Sequence, residues 1–63
     1  MDKISFCDTV ALETARAFVS SNMTEYINNS GTEGFAKDFS QKYLEAYQIA
    51  NKYYTENHIK YKF

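Results

Sequence analysis

The chain has no proline, one cysteine, one histidine and two glycines among its 63 residues. A single cysteine, Cys7, excludes an internal disulfide, and a single histidine, His58, leaves too few ligands for an ordinary zinc site in one chain. The absence of proline removes the strongest helix breaker, and the two glycines, Gly31 and Gly34, lie close together. These absences predict a helical chain with one principal break and with neither a metal nor a cofactor.

An excess of charge and a long apolar run are absent as well. The net charge is −1, whereas a domain that binds nucleic acid usually carries a basic face. No stretch has the length and apolar character of a membrane span, and residues 1–5 do not resemble a secretion signal. A free thiol without such a signal favours the cytoplasm. We therefore expect a cytoplasmic protein with no membrane association and little tendency to bind nucleic acid.

The length of the chain allows one small domain, residues 1–63. A chain of this size buries only about 60% of its unfolded surface, and small domains usually need a disulfide, a metal or a second subunit. Because the first two are excluded, the second subunit remains. The length therefore predicts a homodimer or, failing that, binding to another protein.

The second half of the chain carries aromatic residues at helical spacing. Its apolar positions fall within about a third of a helix circumference, and charged and amide side chains occupy the opposite side. Ser30, followed by Glu33 three residues later, resembles a capping box at a helix start. We predict an amphipathic helix over residues 32–57. Its apolar face consists of Phe35, Phe39, Tyr43, Tyr47, Tyr53 and Tyr54, with Ala36, Ala46 and Ala50 between them.

The first half of the chain has a helical period too, with small apolar side chains on one face. Ser5 and Asp8 resemble a capping box, which predicts a helix start between them. The polar residues 20–22 weaken the helix, because short polar side chains compete for backbone hydrogen bonds. We predict a helix over residues 6–27, either continuous or with a kink or break near 20–22.

The turn signal at residues 28–31 separates the two predicted helices, because Asn and Gly tolerate the conformation that ends a helix. The economical architecture is an all-α antiparallel helical hairpin. Two helices cover only part of each other's apolar face, so two hairpins would pair into a four-helix bundle. Residues 58–63 alternate between apolar residues and lysine, which predicts either an extended segment or a frayed end.

The aromatic face is the strongest candidate for a functional surface. Tyrosine suits a half-buried position, because its ring packs while its hydroxyl reaches water. We interpret this face as core or dimer interface and predict an interaction or regulatory module that self-associates. The predicted interface residues are Phe18, Tyr26, Phe35, Phe39, Tyr43, Tyr47, Ala50 and Tyr54.

Two other functions are weaker on the residues present. At the C-terminal end, lysines alternate with aromatic side chains that could stack on bases. Lysines near a helix C-terminus are also stabilised by the helix dipole, so they do not by themselves indicate a binding site. Catalysis is not expected, because Cys7 falls on the apolar face, where a thiol is inert, and His58 has no complete set of catalytic groups around it. The residues of the alternative nucleic-acid site are Lys52, Tyr53, Tyr54, Lys60, Tyr61, Lys62 and Phe63.

Two segments, residues 12–18 and 35–43, are similar in general character to the products of small reading frames of low-GC Gram-positive bacteria and their phages. Both are generic helix sequences. The likeness therefore implies a bacterial or phage source and carries no functional residue with it.

Overall fold

The computed structural model describes the backbone of residues 1–61 and the side chains of residues 1–57. Its secondary structure is helical, with no strand in the described part of the chain, so the predicted all-α class is confirmed. The elements are α1 (Lys3–Ser21), the short α2 (Met23–Glu25), a π-helical segment (Tyr26–Ser30) and α3 (Gly31–Tyr61).

Helix α1 begins earlier than the predicted start between Ser5 and Asp8. Asp2 is its N-cap, and the Asp2 carboxylate accepts a hydrogen bond from the backbone N–H of Ser5 at 2.7 Å. Because this bond favours the ionised carboxylate, the pKa of Asp2 lies below its ordinary value. Ser5 is therefore the donor to the cap and not the cap itself.

Helix α1 ends at Ser21, so the continuous helix predicted as far as residue 27 is wrong, and the alternative break near 20–22 is present. The Ser21 hydroxyl donates to the backbone carbonyl oxygen of Phe18 at 2.7 Å, which is the competition expected of a short polar side chain. The backbone N–H of Asn22 bonds three residues back and tightens the last turn.

A π-helical turn fills residues 26–30, where an open turn over residues 28–31 was expected. The backbone N–H of Gly31 donates to the carbonyl oxygen of Tyr26, the spacing of a π-helix. Gly31 has φ 64° and ψ −153°, a region open to glycine and strained for any L side chain. The glycine of the turn signal is thus the residue at which helical geometry is interrupted.

Helix α3 continues beyond the predicted end at about residue 57. Its backbone is helical, and not extended, as far as Tyr61. The segment predicted to be extended or frayed covers residues 58–63, and its last two residues, 62–63, lie outside the described residues. No helix in the described part of the chain is both long enough and apolar enough to cross a bilayer.

Helices α1 and α3 pack side by side. Near the start of α1, the ring of Phe6 lies 5.4 Å from that of Tyr54, and near its end the ring of Phe18 lies 4.6 Å from Lys42 Nζ. Between these contacts lies a row of small buried side chains, which we call the small-residue seam. The seam consists of Cys7, Ala11, Ala15, Val19, Ala46 and Ala50.

Candidate interface

The predicted interface residues lie along the edges of the small-residue seam and at the turn. Ala50 and Tyr26 are buried, each 4% exposed. The other predicted members are all rings. They are only partly buried, because the small side chains occupy the space between the helices. They are Phe18, Phe35, Phe39, Tyr43, Tyr47 and Tyr54. Their role as an interface stays a prediction.

The rings of α3 form a row of aromatic contacts at four-residue spacing. Phe35 stacks on Phe39 with ring centroids 6.1 Å apart, and Tyr43 lies 5.9 Å from Tyr47. Tyr26 of the π-helical segment extends the row with an edge-to-face contact to Phe35 at 5.5 Å. Residues four apart are neighbours on a helix surface, so each ring supports the next one along it.

The Tyr43 ring is fixed across the two helices by its hydroxyl. This hydroxyl donates to Asp8 Oδ1 of α1 at 2.6 Å. The bond to the carboxylate, together with burial, raises the pKa of Tyr43 to about 12, because both favour the neutral phenol. The ring therefore stays protonated and in place throughout the neutral range.

A second tyrosine–aspartate pair closes the turn. The Tyr26 hydroxyl donates to Asp38 Oδ2 at 2.8 Å. Burial, and then the Asp38 carboxylate, raise the pKa of Tyr26. Sequence reasoning missed Asp8 and Asp38 as partners of these rings, because helical periodicity shows which face a residue occupies and not which hydroxyl it meets.

An apolar groove opens beside the ring row, and we call it the Leu44 groove. Its volume is about 380 Å³, and it is lined by Leu12, Phe39, Ser40, Tyr43 and Leu44. Leu44 is 61% exposed at its edge, so the described residues leave this aliphatic side chain beside the groove largely uncovered. The sequence signal for this groove is Leu44, an apolar residue out of phase with the aromatic face of the helix.

A smaller apolar groove of about 270 Å³ lies at the turn, between the π-helical segment and the start of α3. Met23 and Ile27 border it with exposed side chains, while Tyr26 and Phe35 form its floor. Apolar surface is therefore open at the turn as well as beside the ring row.

The thiol that the sequence offers for catalysis lies inside the helix pair. Cys7 is fully buried, which makes its thiol inaccessible to a substrate. Among the residues whose side chains are described, no group of His, Cys, Asp or Glu could hold a metal ion. The side chain of His58 lies outside that part of the chain. So do four of the seven residues of the alternative nucleic-acid site, Lys60, Tyr61, Lys62 and Phe63.

The arrangement is suited to burying apolar surface against another protein. Hydrogen bonds hold two of its rings, and an open groove with an exposed leucine lies beside them. Comparisons of the chain with known protein families, curated proteins and solved structures find no match.

Proposed function

We propose that the protein is a homodimeric interaction module rather than an enzyme. Its subunit is an antiparallel helical hairpin, and two hairpins pair through the ring row to form a four-helix bundle. The dimer works in the cytoplasm as a protein–protein interaction or regulatory element. One observation carries the proposal: six rings stand half-buried along the edges of a seam that is itself filled by small side chains.

The half-buried rings matter because the buried side chains of α1 lie in the seam and leave the outer sides of the rings uncovered. The buried positions of α1 are Cys7, Ala11, Ala15 and Val19, all of which are small and lie in the seam. Contiguous apolar surface on a small protein usually marks an interaction site. A second subunit is also the remaining way to enlarge the core of a chain without disulfides.

The rings are also held in one orientation before any partner arrives. Tyr43 is bonded to Asp8 and in tilted ring contact with Tyr47, and Tyr26 is bonded to Asp38. A surface that is ordered in advance loses less side-chain entropy on association, so more of its buried area contributes to affinity. This supports a binding role for the ring row.

Sedimentation equilibrium at micromolar concentrations tests the proposal. We expect a mass of twice the 7.3 kDa of the single chain. A folded monomer over this range would contradict the proposal.

A pair of variants tests whether the ring row makes the contact. Tyr47→Glu places a charge in the ring row and should dissociate or unfold the dimer. Tyr53→Glu is the matched control, because Tyr53 is 56% exposed and makes no ring contact among the described residues. A Tyr47→Glu dimer that sediments like the unaltered protein would show that the ring row is not the contact.

A further inference from the structure

We infer that a second copy of the chain docks on one side of α3, with Leu44 of each copy seated in the Leu44 groove of the other. This inference rests on the proposed function, because it names the surface by which the proposed dimer forms. The groove of each copy is filled by a second copy of the same chain.

The charges of α3 are confined to one side of the helix over residues 38–57. At 100° per residue, Asp38, Lys42, Glu45, Lys52 and Glu56 fall within about a quarter of the circumference. The side that continues outward from the ring row carries no charge over the same residues, whereas nearer the start of α3 it carries Glu33 and Lys37. We call its part within residues 38–57 the uncharged face. The uncharged face consists of Ser40, Leu44, Tyr47, Gln48, Asn51 and Thr55.

A face without charge is what pairing of identical copies requires. A two-fold dimer brings the same surface of each copy together, so a charge near the axis would meet an identical charge. The uncharged face avoids this repulsion, whereas pairing through the opposite side of α3 would bring several charges close to the identical charges of the second copy. The lack of Lys and Arg on the uncharged face also disfavours a partner that is recognised through phosphate groups.

Leu44 makes the surface complementary to itself. It is 61% exposed, and it also lines the groove of about 380 Å³ next to Leu12 and Tyr43. In a two-fold contact, a residue that borders the groove on one copy is presented to the same groove on the other. Both copies then bury an exposed leucine without exposing a new one.

The area of one long side of the molecule comes close to that of a standard dimer interface. A compact monomer of 7.3 kDa exposes about 4,200 Å² by the usual scaling with mass, whereas this chain exposes 4766 Å². The molecule measures 48 × 13 × 13 Å, so one long side presents roughly 600 Å² in projection. A standard stable interface buries about 800 Å² on each partner, which a contoured side of this size approaches.

Two substitutions with the same chemistry on the same helix test the inference. Leu44→Glu changes the proposed contact, and Ile49→Glu is the control, because Ile49 is 58% exposed and lies on the charged side of α3. Both side chains are exposed, so we expect both variants to keep the helical circular dichroism of the unaltered protein.

The dimer dissociation constant is the readout. We expect Leu44→Glu to raise it by at least about 30-fold, as for a central interface residue, and Ile49→Glu to change it less than about threefold. If Leu44→Glu loses its helical signal, Leu44→Ala decides in its place, with an expected increase of about tenfold at retained helicity.

The outcomes separate this inference from the proposed function. An unaltered protein that is monomeric overturns the proposed function and the inference together. A dimer that Leu44→Glu leaves intact, or that Ile49→Glu weakens as strongly, overturns the docking surface and leaves the proposed self-association standing. Selective loss of the dimer with Leu44→Glu supports both.

Discussion

The middle of the helix pair and its turn end are held together by different kinds of side chain. In the middle, small residues that are almost inaccessible to solvent line both helices, such as Ala11 and Ala15 on α1 and Ala46 on α3. At the turn end, Tyr26 and Phe35 meet edge to face instead, and a hydroxyl–carboxylate bond closes the contact.

This difference explains why the aromatic face of α3 is only half-covered. Small side chains let two helices approach closely, because interaxial distance depends on the residues at the contact. The closer the helices lie, the less room remains between them for a ring, so the rings of Phe39, Tyr43 and Tyr47 lie at the edges. The open apolar surface is thus a consequence of tight packing in the middle and not of poor packing.

The largest effect should come from enlarging a side chain in the small-residue seam. Ala15 is completely buried, so Ala15→Leu forces added atoms into a closed contact. We expect a loss of about 1–3 kcal/mol in the free energy of unfolding, measured by urea unfolding at one fixed protein concentration. Ala17→Leu is the control, because Ala17 is exposed on the same helix. Equal effects of the two substitutions would show that the seam is not tightly packed.

A comparable but smaller effect should come from the turn end. Gly31 has φ 64°, and nothing lies within 4 Å of a Cβ built there, so any cost of Gly31→Ala comes from the backbone alone. We expect a loss of about 1–2 kcal/mol in the free energy of unfolding, measured by the same urea unfolding. A D-alanine introduced at this position by chemical synthesis favours the mirror-image region, so it should keep the stability of the unaltered protein. An L-alanine variant as stable as the D-alanine one would rule out backbone strain.

The contrast between middle and turn also shows what the sequence could predict. Helical periodicity and the glycine of the turn signal were enough for the all-α class and for the interruption between α1 and α3 at Gly31. They could not decide between rings and alanines in the seam. Ala46 and Ala50 share an arc with Tyr43, and which of them faces α1 depends on how closely the helices approach.

Two local features of the candidate interface were also beyond the sequence. Asp8 and Tyr43 are 35 residues apart, so their bond depends on the register between the helices. Sequence reasoning paired Asp8 with Ser5 in a capping box, whereas in the structure the N-cap is Asp2. Several polar residues near the start of α1 can each serve as a cap, and which of them does depends on where the backbone leaves helical geometry.

The smallest effect should come from the hydrogen bond between Tyr43 and Asp8 of α1. Tyr43→Phe removes the hydroxyl that donates to Asp8 and should lower the melting temperature. Tyr47→Phe is the control and should lower it less, since no such bond is found for Tyr47 among the described residues.

The pKa of Tyr43 is raised to about 12 from an ordinary value near 10. The unfolded chain therefore loses this proton first, so the contribution of Tyr43 is complete below about pH 10 and disappears towards pH 12. The difference in melting temperature between the unaltered protein and Tyr43→Phe should shrink over that range; a constant difference would mean that the bond to Asp8 is not what holds the ring.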